Sequence, residues 1–197
     1  MRVGYVGIGN MGGPMAANLA RAGNEVVIGD LNQPAVDAFT TEHETARPAN
    51  GLAAVGQEAE AVFTCLPNGK IVAEAVLGEG GIAEGMAEGS VLVDMSSSAP
   101  MGTIDLGKTL SERGIRMVDA PVSGGVPRAV EGTIAIMVGG AKEDIEKVRP
   151  ALETMGGQIF ETGGLGSAHA MKSINNVLSA TNLLVGIEAL VVGKKFG

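Results

Sequence analysis

Cysteine and aromatic side chains are nearly missing from this chain of 197 residues, which has one cysteine, no tryptophan, one tyrosine and four phenylalanines. The lone thiol, Cys65, excludes an internal disulfide framework, and it reads as a small buried strand residue. Positive charge is also in deficit. With 14 Lys and Arg against 22 Asp and Glu, the net charge is −8. That argues against nucleic acid as a partner, because such affinity comes largely from neutralising phosphates. A small anion stays compatible with this balance, since one local lysine or helix terminus outweighs net charge at short range. No apolar run is expected to reach the length that crosses a bilayer, so no membrane partner is expected. No spacing suited to metal ligands occurs, and no metal is expected. The start, Met1-Arg2-Val3-Gly4-Tyr5-Val6, enters a strand with no basic leader and no signal-type apolar stretch. A cytoplasmic chain is therefore expected.

Glycine is abundant, with 31 copies, as in a turn-rich α/β protein with a small-residue interior. Short runs rich in Val and Ile predict strands at Val3–Gly7, Glu25–Asp30, Ala61–Cys65, Ser90–Val93 and Met117–Val118. Helical spacing falls between them at Gly12–Ala22, Pro34–Thr41, Gly51–Gln57, Ile71–Leu77 and Met101–Arg113. Such alternation predicts a Rossmann-type, doubly wound, mostly parallel sheet covered on both faces. After Gly125 a strand (Thr133–Val138), a charged helix (Lys142–Met155) and a last strand (Gln158–Glu161) are expected. Gly156-Gly157 is placed to cap that helix. From Ser167 to about Phe196 the chain reads as one long helix, apolar on more than one face and suited to burial between two bodies.

Gly7-Ile8-Gly9-Asn10-Met11-Gly12 directly follows the first strand and opens the first helix. In this G-x-G-x-x-G pattern Gly7 permits the tight turn, Gly9 a close backbone approach, and Gly12 close packing of helix on strand. The helix N-terminus then holds a pyrophosphate through its free amides and dipole. Asp30 closes the second strand, where a carboxylate accepts the ribose hydroxyls of NAD and repels a 2′-phosphate. Leu31 supplies no compensating cation, so NAD is expected over NADP. Asp30 also reads as a cap or turn residue before Asn32-Gln33-Pro34.

The extension Gly12-Gly13-Pro14-Met15-Ala16-Ala17-Asn18-Leu19 resembles the β-hydroxyacid dehydrogenases, the family of 3-hydroxyisobutyrate dehydrogenase and tartronate semialdehyde reductase. Three further segments are similar in order: Phe63-Thr64-Cys65-Leu66-Pro67-Asn68, Val93-Asp94-Met95-Ser96-Ser97-Ser98-Ala99-Pro100, and Asp119-Ala120-Pro121-Val122-Ser123-Gly124-Gly125. The resemblance implies that Leu66 and Pro67 lie beside the adenosine and that Ser97 carries a hydroxyl near the nicotinamide. It also implies that Ser123, Gly124 and Gly125 bind substrate. Ser123-Gly124-Gly125 reads on its own as a nest for a carboxylate, or as a plain tight turn. Ser98 reads equally as a helix cap before Pro100.

In Met171-Lys172-Ser173-Ile174-Asn175-Asn176 the lysine and Asn176 are four apart and share a helix face. The resemblance implies that Lys172 is the general acid and base and that Asn176 holds substrate; otherwise Lys172 is a snorkelling surface residue. His169, one turn earlier, either borders the same pocket or is a packing or solvent-facing side chain, and His43 reads as solvated. The implied reaction is NAD(H)-dependent interconversion of a small 3-hydroxy acid and its semialdehyde. Two alternatives are a 6-phosphogluconate dehydrogenase-like enzyme, made less apt by Asn175 where those relatives carry histidine, and a truncated non-catalytic NAD-binding module. Ala168 stands where the family usually has glycine, an added methyl that would either shift the helix entry or narrow the pocket. Residues 1–164 are expected to form the dinucleotide-binding domain. Residues 165–197 would begin a long interdomain helix leading to an all-α domain absent from this chain, with a homo-oligomer assembled through both.

Overall fold

The computed structural model describes residues 1–197. Its elements alternate as β1 (Arg2–Val6), α1 (Gly12–Arg21), β2 (Glu25–Gly29), α2 (Gln33–Glu42), β3 (Ala46–Pro48), α3 (Leu52–Glu58), β4 (Ala61–Thr64), α4 (Gly69–Leu77) and α5 (Ile82–Gly85). They continue as β5 (Val91–Asp94), α6 (Pro100–Ser111), β6 (Arg116–Asp119), β7 (Val122–Ser123), α7 (Gly125–Val130), β8 (Ile134–Gly139), α8 (Lys142–Met155), β9 (Gly156–Gly163) and α9 (Ser167–Phe196).

The strands lie in the order β3-β2-β1-β4-β5-β6-β8-β7, with β9 beside β8. From β3 through β6 every pairing is parallel, whereas β8 runs antiparallel to both β6 and β7. This is the doubly wound, mostly parallel sheet that the strand–helix alternation predicts. Strand order reverses at β1, which lies between β2 and β4. Ligands of such sheets bind at that switch point, outside the carboxyl ends of the strands.

Alternation along each buried strand builds two cores. Val3, Tyr5, Phe63 and Val93 face one side of the sheet with Met15 and Leu19 of α1. Val6, Val27, Val62 and Leu92 face the other with Val55 of α3 and Leu110 of α6. Because both faces are covered, the strands are nearly continuous in Val and Ile. Tyr5 and Phe63 stack with ring centroids 6.2 Å apart.

The short elements β3, β7, α5 and α7 are not legible as periodic runs. β3 contains Pro48 and lies at the sheet edge, where the missing N–H of proline is tolerated. Gly156 is the C-cap of α8, as expected, and its N–H bonds to the Leu152 carbonyl. Its backbone is extended (φ −127°, ψ 142°) and starts β9. A Cβ there would lie 2.6 Å from Ile136 Cδ1, so close packing explains this glycine.

Helix α9 runs for 30 residues and is fully buried only at Ala168 and His169, in its first turn. Leu183, Leu184, Ile187 and Leu190 are exposed. By length and apolar content α9 is sufficient to cross a bilayer, which corrects the expectation that no run reaches that length. The segment is broken by polar residues such as Lys172, Asn175 and Asn182, so its apolar character emerges only when averaged along the helix. A helix covered by other protein has the same composition.

Candidate active site

The turn after β1 is shaped by what its glycines permit. Gly7 has φ +94°, and a Cβ on it would sit 2.4 Å from the Cys65 carbonyl oxygen. A Cβ on Gly12 would lie 1.9 Å from the Gly7 carbonyl oxygen, so α1 begins directly against the turn. Gly9 differs. Its φ is one any residue adopts, and nothing lies within 4 Å of where its Cβ would be. Neither backbone nor packing calls for glycine at 9, and the open space above it permits close approach by a ligand. That free space adjoins the start of α1, which no side chain caps. A dinucleotide pyrophosphate fits such a cradle. Asn10 is exposed, and Ile8 and Met11 pack partly against the core and hold the loop down.

Asp30 follows β2 and is tied to this loop. One carboxylate oxygen accepts the Ile8 N–H at 2.8 Å and the other the Asn32 N–H at 2.8 Å. Each oxygen retains acceptor capacity for a hydroxyl. The cap of α2 is Asn32, which accepts the Ala35 N–H, so the reading of Asp30 as a cap gives way to an anchor of the glycine loop. Leu31 beside it is fully exposed.

Across the switch point, the Leu66-Pro67 turn abuts Gly7, whose Cβ would lie 2.8 Å from Leu66 Cδ2. The Leu66 N–H donates to Ser96 Oγ at 2.9 Å, linking that turn to the one after β5. Asp94, at the end of β5, accepts the Ser96 N–H and the Thr64 hydroxyl, each at 3.0 Å, and the Ser98 hydroxyl at 2.7 Å. Ser98 is therefore no helix cap. The residue before α6 is Ala99, which makes no side-chain capping bond. Ser96 and Ser98 are buried, while Ser97 between them is exposed and free to meet a ligand.

The partner of Asp94 in the adjacent strand is Asp119, at the end of β6. Its carboxylate accepts the N–H of Gly166 and the N–H of His169, both at 2.8 Å, and so receives the first turn of α9. Burial pushes the Asp119 carboxyl up, against the pull of those two bonds and of His169. The His169 ring is fully buried. Its Nε2 lies 3.0 Å from the Ser96 carbonyl and its Nδ1 2.8 Å from the Thr103 hydroxyl. The open reading of His169 thus resolves to a packing residue, not a solvent-facing one. Asp94, Asp119 and Thr103 were not singled out from the sequence. The available signal was an acid closing each of two apolar strands, Val91–Asp94 and Met117-Val118-Asp119.

Lys172 follows one turn later and is half-buried. Burial lowers the pKa of its ammonium. Asn176 is exposed and Asn175 half-buried. Ala168 packs with no exposure, so the helix entry accommodates its methyl. Ser123 ends β7 opposite Ala135 of β8, four residues after Asp119. Gly124 and Gly125 are exposed, with φ of +142° and +74°, and expose backbone amides beside the Ser123 hydroxyl. Burial pushes the Cys65 thiol up to about 12, which leaves no thiolate for nucleophilic chemistry.

Residues 2–164 match the family described as the NAD binding domain of 6-phosphogluconate dehydrogenase. Over 197 residues the chain is 40% identical to a 2-(hydroxymethyl)glutarate dehydrogenase of Eubacterium barkeri, covering 100% of this chain and 65% of that protein. In structure it is similar to a 3-hydroxyisobutyrate dehydrogenase of Mycobacterium tuberculosis with L-serine, at 31% identity and a TM-score of 0.92, covering 100% of this chain and 67% of the other. It is also similar to Psf3 in complex with NADP+ and 2-OPP, at 26% identity and a TM-score of 0.90, covering 99% and 68%. The chain thus spans about two thirds of the length of these relatives. With its glycine cradle, its two serine-bearing turns and a sequence that aligns from end to end, the chain belongs to the β-hydroxyacid dehydrogenase family.

Proposed function

We propose that this chain is the cofactor-binding part of a dehydrogenase that interconverts a small 3-hydroxy acid and its semialdehyde, with Lys172 as general acid and base. The observation that carries this reading is the state of Lys172. It is half-buried, with an ammonium that burial destabilises, on the helix turn that follows the corner joining Asp119 and Ser96. A bound NAD(H) supplies or accepts the hydride. Gly7 to Gly12 would hold its pyrophosphate, Asp30 its ribose, the Leu66-Pro67 turn its adenosine side, and Ser97 its nicotinamide side. On reduction the Lys172 ammonium gives a proton to the carbonyl oxygen; on oxidation its free amine takes the hydroxyl proton. Ser123, Gly124, Gly125 and Asn176 would hold the substrate carboxylate and its neighbouring oxygen. The exposed apolar length of α9 suits a cover of further protein, and we assign that role to an all-helical domain to which residues 165–197 lead, and to its homo-oligomer.

The test is turnover of 3-hydroxyisobutyrate, tartronate semialdehyde and related acids by the purified protein. Lys172→Ala is expected to lower kcat about a thousandfold. Oxidation should rise with pH and level off below the ordinary lysine value of 10.5, since its base is the free amine of a lysine whose pKa is lowered. A profile unchanged in Lys172→Ala would refute the role of Lys172. NAD is the preferred cofactor, because Asp30 is anionic and neither Leu31 nor Asn32 supplies a cation. Equal affinity for NADH and NADPH in a fluorescence titration would remove that preference.

A further inference from the structure

Seven of the ten buried polar or charged side chains of the molecule lie in one connected corner around Asp94, Asp119 and His169. A fold rarely needs this. Buried polar groups are hard to satisfy, and apolar replacements of similar volume are often as stable. What such a network fixes is relative position. Here the fixed parts are three: the Leu66 turn through Ser96 Oγ, the Ser96–Ser98 turn through Asp94, and the first turn of α9 through Asp119. His169 is the side chain that joins the second to the third. A carbonyl only accepts, so the imidazole Nε2–H donates to Ser96, and Nδ1 partners the Thr103 hydroxyl of α6. Asp94 Oδ2 lies 3.8 Å from Nε2 and Asp119 Oδ2 3.6 Å from Nδ1, so the ring sits between the two carboxylates.

We infer that His169 is a positioning residue: through Ser96, Thr103 and Asp119 it sets where α9 leaves the sheet, and so where Lys172 stands against the Ser96–Ser98 turn. The inference deepens the proposed function and rests on it for Lys172. A misplacement of about 1 Å at a reacting group costs on the order of a hundredfold in rate.

Three substitutions test this in the purified protein. His169→Leu removes both ring bonds and is expected to lower kcat about a hundredfold while leaving NADH affinity unchanged. His169→Gln keeps a donor for Ser96 and an acceptor for Thr103 and should recover most of that loss. Thr103→Val, nearly isosteric, removes only the Nδ1 partner and is expected to cost about tenfold in kcat. It also carries the test should His169→Leu not fold. Unchanged kcat in Thr103→Val, equal damage from Gln and Leu, or a kcat loss matched by lost NADH affinity would each overturn the positioning role. A readout without turnover separates this inference from the proposed function. The 13Cε signal of Lys172 should titrate at a different pH in Thr103→Val than in wild type. If it moves while wild type reduces no semialdehyde, the proposed reaction fails and the positioning stands; if it does not move, the positioning fails.

Discussion

At the Gly7–Gly12 turn the candidate site is made by leaving side chains out, whereas at the corner of Asp94, Asp119 and His169 it is made by crowding polar side chains together. The first region presents bare backbone at the start of α1 and has open space above Gly9. The second is closed, with each of its three principal side chains at most 1% exposed. The contrast fits what the proposed function asks of each region. A pyrophosphate is bound by amides that are already in place and only need access. A proton-transferring lysine must be held at one point relative to another turn, and that takes bonds in several directions.

Several substitutions would break or sharpen the contrast. The largest stability effect is expected at the crowded corner. Asp119→Ala strands the Gly166 and His169 N–H groups without acceptors inside the protein, costing about 3 kcal/mol in urea unfolding. A loss near zero would mean that the corner relaxes freely. Gly12→Ala comes next. Its methyl would meet the Gly7 carbonyl oxygen, and about 2 kcal/mol of stability should be lost together with NADH binding. The smallest stability effect is expected at Gly9→Ala, where the added methyl has nothing to strike. Its melting temperature should match wild type while NADH binds about tenfold more weakly, a difference of about 1.4 kcal/mol. Equal affinity for NADH in Gly9→Ala would show that the open space is not where the cofactor lies.

The same contrast governs what was legible in the sequence. The glycine turn is local, with its strand, three glycines and the start of its helix lying within eleven residues from Arg2 to Gly12. Spacing alone therefore carries it, and Asp30 sits at the strand end where the pattern requires it. The alternation of β-branched runs with helices likewise predicts a doubly wound, mostly parallel sheet, though not the order of its strands or the short edge strand β3. The corner is different. Asp119 and His169 are 50 residues apart and Ser96 and His169 are 73 apart. Nothing in the neighbourhood of any one of them announces the others, so the sequence gives no local sign of Asp94 and Thr103 and leaves the reading of His169 open. Ser98 stays open in the sequence for the same reason. A serine before proline suits a helix start, but its hydroxyl is taken by a carboxylate that only the folded chain brings within 2.7 Å. At Gly156 the cap is legible, but the reason for glycine is not, because the contact with Ile136 exists only in the folded sheet.

Helix α9 carries one more consequence. Thirty residues of helix rise about 45 Å, and this one is clamped at its first turn only. It behaves as a beam fixed at one end, so an error at the clamp grows with distance. A tilt of about one degree at Asp119 displaces the far end by about 0.8 Å, from the same rise per residue. A body carried on the distal turns would take its aim from four hydrogen bonds at the root, two to Asp119 and two made by the His169 ring.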